Sequence, residues 1–236
     1  MSIASIVAAD QNLAMRFDAL AGRFPHFDRL IELLSQNDLK DAFFVAMFWW
    51  LWFARTDATR ARQAREQLLS LLCAGIVAVL VARICALSLP FRVRPRFDPA
   101  LHFVVPAATP SDLVNWSSFP SDHAALFGAF AIGIFYISRR AGIVALLYCL
   151  LVICMPRIYL GLHYPSDILG GLLLGAAVVM AMERFRIRHF LGARLLAWEQ
   201  AFPSAFYTGL FLISYEYATM FGGVLALGSA LAHRAF

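Results

Sequence analysis

Residues 157–182 read RIYLGLHYPSDILGGLLLGAAVVMAM, a short polar loop followed by an apolar run. The apolar part, Pro165–Met182, has few polar residues beyond its first three. A bilayer core about 30 Å thick needs roughly 20 apolar residues in a helix, and somewhat fewer where flanking side chains reach the interface. The stretch therefore predicts a membrane-spanning helix that follows a loop containing Arg157 and His163.

The whole chain is similarly apolar. Of its 236 residues, 61% are hydrophobic and only 15% are charged, which does not suit the surface of a soluble domain. Six segments approach the length of a span, namely Asp41–Phe53, Gln67–Leu89, Ser121–Ser138, Ala141–Arg157, Pro165–Met182 and Ala205–Ala232. They predict an all-α integral membrane bundle of about six transmembrane helices.

The first and last of these spans are the least regular. Asp41–Phe53 is short for a membrane helix. Ala205–Ala232 contains Glu216 and the pair Gly222–Gly223. We therefore expect the last span to be broken or partly interfacial.

The chain divides into two regions by composition. Residues 1–38 mix charged and apolar side chains, which predicts an amphipathic segment of one or two helices, divided near Pro25. Residues 39–236 are then the transmembrane domain, with a core at about residues 67–182.

Arginines mark the cytoplasmic side of the predicted bundle. They cluster in three connectors, at residues 55–66, 139–140 and 184–194. The positive-inside rule places such connectors in the cytoplasm. The loops Pro90–Pro120 and Ile158–Tyr164 then face outward, as do both termini. The net charge of +5 is accordingly interpreted as a topology signal, and no nucleic-acid partner is expected.

Three short motifs lie at the outward ends of the spans: FRVRPR at residues 91–96, FPSDH at 119–123 and RIYLGLHYPSD at 157–167. In these residues the sequence resembles the type 2 phosphatidic acid phosphatase family, lipid phosphatases that share a helical core with vanadium haloperoxidases. The family pattern is a lysine-to-Arg-Pro motif, then Pro-Ser-Gly-His, then Ser-Arg, five residues, His, three residues and Asp. The second and third motifs match with one substitution each, and the resemblance covers roughly Gln67 to Met182.

The resemblance implies a mechanism as well as a fold. It implies that His163 attacks phosphorus to form a phosphohistidine, while His123 protonates the leaving lipid oxygen and later activates water. Asp167 is expected to hold one imidazole nitrogen so that the other attacks.

The resemblance also implies a setting and a substrate. The protein is expected in the bacterial inner membrane, with its active site facing the periplasm. Its partners are then membrane lipids and a lipid phosphate or pyrophosphate substrate. The candidates are undecaprenyl pyrophosphate or another polyprenyl phosphate, phosphatidylglycerol phosphate, phosphatidic acid and a lipid A phosphate. The outward-facing site and the small extra-membrane mass slightly favour a polyprenyl carrier. No cofactor and no metal are expected.

The chemistry of phosphoryl transfer supports these roles independently. A phosphoryl group in transfer spreads negative charge over three oxygens, so catalysis needs fixed cations and N–H donors. Arg94 and Arg157 supply planar guanidinium groups that suit phosphate oxygens. Ser121 stands where a helix is predicted to begin, so its hydroxyl and the following N–H groups can meet an anion.

Each of these residues also has a purely structural interpretation. Ser121 can be a helix N-cap alone, Arg157 a membrane anchor, and Asp167 a favourable charge at its helix dipole. His123 and His163 can be interfacial side chains bonded to loop carbonyls. The order and spacing of the motifs favour the catalytic interpretation.

Three positions depart from the family pattern. Asp122 replaces the glycine of the second motif and adds a negative charge near the phosphate site. Pro156 replaces the serine of the third motif and removes a hydroxyl donor. Leu87 stands where the lysine of the first motif is expected.

Arg83 is the candidate replacement for the missing lysine. It lies in the second span, where a charge costs roughly 2.5 to 3.5 kcal/mol on insertion scales, so it needs a partner or a water-filled cavity. It is one helical turn before Leu87 and shares that helix face. The alternative is an ion pair with an acidic residue such as Glu216, which would leave Arg92 as the candidate. Asp122, Arg83 and Arg92 are therefore included with the phosphate-binding residues.

Three other functions remain open. The same residues can serve a phosphotransferase that passes the phosphoryl group to another lipid or a sugar. A lipid-binding or transport relative can keep the fold without the chemistry. A zinc enzyme using the two histidines is disfavoured, because the nearby arginines fit phosphate better than a cation. The sequence predicts no oligomeric state.

Two features predict packing alone. Gly171 and Gly175, four residues apart in the fifth span, predict close contact with another span. The four cysteines lie within apolar stretches and have neither metal-binding nor disulfide spacing, so we expect small core residues.

Overall fold

The structure, a computed structural model, describes residues 3–104 and 111–223. These residues form helices and connecting turns without a β-strand, so the all-α prediction is confirmed. The α-helices are α1 (Ile3–Asp18), α2 (Pro25–Gln36), α3 (Leu39–Phe53), α4 (Ala58–Ser88), α5 (Asp122–Ile137), α6 (Arg139–Tyr148), α7 (Met155–Tyr159), α8 (Pro165–Arg184), α9 (Ile187–Ala201) and α10 (Pro203–Ala218). Short 3-10 turns lie at Pro95–Phe97 and Ser111–Asn115.

Four helices correspond to the central predicted spans. Among the described residues, three stretches are long and apolar enough to cross a membrane: α4, the continuous helix Arg139–Tyr159, and α8. The apolar helix α5 is shorter. Large apolar side chains such as Leu80 and Leu173 are exposed on these helices. Such surfaces suit contact with lipid.

The last predicted span is not one continuous helix. Helix α10 ends at Ala218, and Met220 and Phe221 follow with φ values of 51° and 61°. The Phe221 N–H donates to the Glu216 carbonyl at 2.7 Å, which closes the turn. The expected break therefore comes just before the glycine pair, and the remainder of Ala205–Ala232 lies outside the described residues.

Local sequence sets the helix ends around the motifs. Ser121 caps α5 by accepting a hydrogen bond from the Ala124 N–H at 3.4 Å. Ser138 ends α5 and caps α6 in the same way. Between α6 and α7 the segment Cys149–Cys154 is π-helical. Pro156 follows it, and because proline lacks an N–H, the α-helical bonding pattern cannot continue unchanged there.

Helices α5 and α8 meet at backbone distance. A Cβ atom on Gly171 would lie 2.4 Å from the Ser121 carbonyl oxygen, and one on Gly175 would lie 2.2 Å from the Ala125 carbonyl oxygen. No other residue type fits these positions without moving a helix. The predicted close packing of the two glycines is confirmed.

The chain forms two compact units. Met1–Asn37 and Leu71–Met182 form the first, which contains all three motifs. Asp38–Ser70 and the chain from Glu183 onward form the second. Within the second unit α3 packs against α10, with the rings of Trp52 and Phe206 6.1 Å apart.

The N-terminal segment is a pair of helices that belongs to the first unit. Helix α2 begins at Pro25, where the division was predicted, and both helices pack against α7. Ile31 is buried in a cluster with Tyr159, Leu160 and Leu162. The apolar face of this segment therefore packs against the loop of the third motif.

Three aspartates anchor these two helices. Asp18 accepts a hydrogen bond from the Val104 N–H at 2.8 Å, and Asp28 accepts one from the Tyr159 hydroxyl. Asp10 accepts one from the Ser166 N–H at 2.9 Å. Each anchor joins α1 or α2 to a loop or helix end of the motif-bearing region.

We expect Gly175→Ala to lower the free energy of unfolding by about 1–3 kcal/mol, because overpacking forces α5 and α8 apart. Thermal unfolding of the detergent-solubilised protein measures the change. Gly209→Ala is the matched control, since its added Cβ meets nothing closer than the Trp198 ring at 3.8 Å. Equal unfolding temperatures for the two variants would contradict the close packing.

We expect Asp10→Ala to loosen α1, because it removes a charged acceptor worth about 1.5–3 kcal/mol. Hydrogen exchange of the α1 amides should accelerate about 10-fold or more. Asp38→Ala is the control, since the Asp38 side chain makes no capping hydrogen bond. Unchanged exchange in α1 would mean that Asp10 is not an anchor.

Candidate active site

The first motif places Arg94 in the interior of the first unit. The side chain is buried, and its Nη1 atom donates to the Leu162 carbonyl at 2.9 Å. Its Nε atom donates to the Trp116 carbonyl at 3.3 Å. Nη1 also lies 3.3 Å from Nε2 of His163. Arg94 has no ion pair among the described residues, so no carboxylate neutralises its charge by direct contact.

The loop of the third motif is shaped by backbone bonds to Arg157. The Arg157 carbonyl accepts from the N–H groups of Leu162 at 2.9 Å and His163 at 3.2 Å. Gly161 has a φ of 64°, and a Cβ there would lie 2.7 Å from the Phe103 ring. Glycine therefore allows the tight turn that brings His163 back beside Arg157.

The imidazole of His163 is held in one orientation. It is 2% exposed, and its Nδ1 atom lies 2.8 Å from the Ser118 carbonyl oxygen. Because a carbonyl only accepts, Nδ1 holds the proton and Nε2 holds the lone pair. Burial lowers the pKa of His163, which favours the neutral ring. Nε2 is thus a neutral nucleophile that faces Arg94.

Asp167 lies beside His163 and interacts with it electrostatically, but it makes no short hydrogen bond to the ring. Its Oδ2 atom is 3.7 Å from Nδ1 of His163, beyond hydrogen-bond distance. Oδ2 instead accepts from the Tyr164 N–H at 2.7 Å. With α8 beginning at Pro165, Asp167 reaches back to the residue before the helix, as the third residue of a capping box does. The Ser118 carbonyl makes the short hydrogen bond to Nδ1, and an orienting role for Asp167 stays a prediction.

Arg92 lies behind Asp167. Its Nη1 atom donates to Asp167 Oδ1 at 2.5 Å and to the Ser166 hydroxyl at 2.7 Å. Its Nη2 atom donates to Asp10 Oδ2 at 2.5 Å. Both ends of the guanidinium are therefore engaged by carboxylates. The structure favours an anchoring role for Arg92 over the phosphate contact considered from the sequence.

Asp122, one of the departures from the family pattern, contacts Arg83, the candidate replacement for the missing lysine. Arg83 Nη2 donates to Asp122 Oδ2 at 2.8 Å. The other oxygen, Oδ1, lies 2.9 Å from Nδ1 of His123 and accepts from the His123 N–H at 2.8 Å. Arg83 is thus ion-paired, but with Asp122 and not with Glu216. Leu87 is 76% exposed, so a lysine at that position would begin from the outer face of α4.

Arg83, Arg94 and Asp122 line one cavity of about 220 Å³. This is several times the volume of about 30 Å³ that a water molecule occupies in the liquid. Arg94 interacts electrostatically with both other residues and with Arg157 and Asp167. The cavity wall combines a buried cation with room for a small anion.

Backbone bonds join the loops of the three motifs. The Ser118 N–H donates to the Arg92 carbonyl at 2.9 Å, and the Ser121 N–H donates to the Asp167 carbonyl at 3.1 Å. The predicted co-location of the motif loops is therefore present in the structure. Ser121 is fully buried and caps α5, so its structural role is observed and a phosphate contact stays a prediction.

Sequence reasoning missed two contributors to this site. The Ser118 carbonyl is a backbone group, so no side-chain pattern could reveal it. Asp10 lies in the N-terminal segment, far along the chain from the motifs. Its only signal was an acidic residue on a predicted amphipathic helix.

A solved structure has a fold similar to that of this chain. A crystal structure of a transmembrane PAP2-type phosphatidylglycerolphosphate phosphatase from Bacillus subtilis aligns with a TM-score of 0.53 and 19% identity, over 78% of this chain and 87% of that one. This likeness concerns the fold, and it confirms the prediction of an all-α membrane bundle.

Two bacterial phosphatases are similar to this chain in sequence. The undecaprenyl-diphosphatase BcrC of Bacillus subtilis is 29% identical over 123 residues, which are 52% of this chain and 60% of that protein. A lipid A 1-phosphatase of Rhizobium johnstonii is 39% identical over 63 residues, which are 26% of this chain and 25% of that protein. The chain thus spans less than two thirds of the length of these relatives.

The family model of the PAP2 superfamily matches residues 67–190. The matched region begins at the first residue of the predicted core and extends slightly beyond its end. Since it covers more than half of the chain and contains all three motifs, this protein belongs to the PAP2 superfamily, as its motifs predicted.

Proposed function

We propose that this protein is a membrane lipid phosphatase that works through a phosphohistidine on His163. The observation that supports this most directly is the fixed, buried imidazole whose Nε2 atom lies 3.3 Å from Nη1 of Arg94. A nucleophile and a cation at that distance can meet the same phosphoryl group from two sides.

In the first step the Nε2 lone pair of His163 attacks phosphorus. The N–P bond forms while the bond from phosphorus to the leaving oxygen breaks, and His123 gives that oxygen a proton. The Nδ1 proton stays in its hydrogen bond to the Ser118 carbonyl. Arg94 and Arg157 stabilise the charge on the phosphoryl oxygens.

In the second step a water molecule attacks the phosphohistidine. His123, now neutral, takes a proton from the water as the new P–O bond forms and the N–P bond breaks. Inorganic phosphate leaves, and His163 regains its neutral form. A phosphotransferase would differ only here, with a lipid or sugar hydroxyl in place of water.

A polyprenyl pyrophosphate is the substrate we favour. The undecaprenyl-diphosphatase and the lipid A 1-phosphatase both have names that specify phosphate removal from a lipid. The site lies at the ends of apolar helices, so a lipid can keep its chain among them while its phosphate reaches Arg94. Phosphatidylglycerol phosphate and phosphatidic acid are the competing substrates.

We expect the pure protein to release phosphate from undecaprenyl pyrophosphate faster than from lipid A, phosphatidylglycerol phosphate or phosphatidic acid. His163→Ala should abolish release, because binding energy cannot replace the nucleophile. A brief reaction with labelled substrate, quenched in alkali, should leave label on wild type and none on His163→Ala. Assays in strong chelator test the expectation that no metal takes part.

Each competing function has its own outcome in this experiment. Label that appears in a second lipid instead of free phosphate would identify a phosphotransferase. Lipid binding without phosphate release would identify an inactive relative. Normal turnover by His163→Ala would contradict the proposed mechanism itself.

We also propose that the site faces the periplasm, since the arginine-rich connectors lie between the other ends of the spans. In a protein with its four native cysteines replaced by serine, Ala100→Cys should react with a membrane-impermeant thiol reagent in intact cells. Ala58→Cys should react only after lysis. Both positions are exposed, so accessibility of the side chain does not distinguish them. The opposite labelling pattern would reverse the topology.

A further inference from the structure

The side chains of Arg83, Asp122 and His123 form a continuous chain of contacts. Each oxygen of Asp122 serves a different partner: Oδ2 accepts from Arg83 Nη2 at 2.8 Å, and Oδ1 lies 2.9 Å from His123 Nδ1. The family pattern has glycine in place of Asp122, so it offers no side chain for such contacts. The contacts of Arg83 and His123 with this side chain therefore depend on the aspartate at position 122.

We propose that Asp122 is a positioning residue for His123 and that Arg83 acts through Asp122, not on the substrate. This inference deepens the proposed function, in which His123 exchanges a proton with the leaving oxygen. A carboxylate only accepts hydrogen bonds, so Oδ1 keeps a proton on Nδ1 and directs Nε2 to the reaction. The same carboxylate stabilises the imidazolium that must exist before the proton is given away.

The charge of Asp122 creates a second requirement. A carboxylate on the wall of the cavity that also contains Arg94 repels a phosphate there. Arg83 offsets this charge by direct ion pairing. Its guanidinium also lies 5.1 Å from the centroid of the Trp116 ring, which fixes its position. Arg83 thus compensates the charge of an aspartate that stands at the glycine position of the family pattern.

The dependence on the leaving group tests the role of Asp122. General acid catalysis contributes about 100-fold or more to cleavage of an alkyl phosphate and little when the leaving group is already acidic. We expect Asp122→Asn to lower kcat about 10-fold or more on a short alkyl phosphate and to change kcat on p-nitrophenyl phosphate less than about 3-fold. His123→Ala should show the same selective loss, only larger. Equal losses on both substrates for Asp122→Asn would overturn the positioning role.

A double-mutant cycle tests the role of Arg83. Arg83→Gln should raise KM about 10-fold, because the charge of Asp122 is then uncompensated. Adding Asp122→Asn should return KM to near the wild-type value while kcat stays low. If Arg83 touched phosphate as the family lysine does, the raised KM would persist in the double variant, and the inference would be overturned.

A measurement without substrate separates this inference from the proposed function. Nitrogen NMR of the histidine rings should show neutral His123 with its proton on Nδ1 in wild type. In Asp122→Asn it should show a mixture of the Nδ1–H and Nε2–H tautomers. Asp122→Gly, which has the residue of the family pattern, serves if the asparagine variant does not fold. If the protein is inactive but gives the expected spectrum, the proposed phosphatase function is wrong and the contact between Asp122 and His123 is supported. If the spectrum is unchanged in both variants, Asp122 does not position His123.

Discussion

The close approach of α5 and α8 is the constraint on which the site depends. Two glycines on α8 allow its backbone to touch carbonyl groups of α5, at distances that leave no space for a Cβ atom. The Ser121 N–H then reaches the Asp167 carbonyl, which joins the second motif to the third. Backbone contacts between α5 and α8 thus set the positions of the two histidines relative to each other. Within a membrane, backbone hydrogen bonds are strong because no water competes for the polar groups.

Charge is distributed in this site so that carboxylates and arginines alternate. Asp122 lies between Arg83 and His123, and Arg92 lies between Asp167 and Asp10. Burying a charge without a partner costs several kcal/mol, so each of these pairs stabilises its members against the apolar surroundings. Arg94 differs, since its hydrogen bonds go to carbonyl groups and an imidazole. Among these arginines, Arg94 is therefore the cation that we propose to contact the phosphate.

Helix periodicity and motif spacing predicted the four central spans, the division at Pro25 and the meeting of the motif loops. These sequence patterns could not predict contacts made by a backbone group or by a residue distant in the sequence. The hydrogen bond from His163 to the Ser118 carbonyl has no side-chain signature, so the sequence could not predict it. Arg83 was predicted either to replace the lysine or to pair with an acidic residue. Spacing along one helix could not identify Asp122 as the acidic residue.

The N-terminal helix α1 contacts residues of the region that matches the family model. Sequence likeness to the superfamily starts at residue 67, yet Asp10 contacts the same guanidinium as Asp167. A protein cut to the recurrent region would lose one of two counter-charges from the half-buried Arg92 and leave the Ser166 N–H without its acceptor. The region that matches the family model is therefore smaller than the region whose side chains interact. In a protein cut to the matched region, the charge around Arg92 would differ from that in the whole chain.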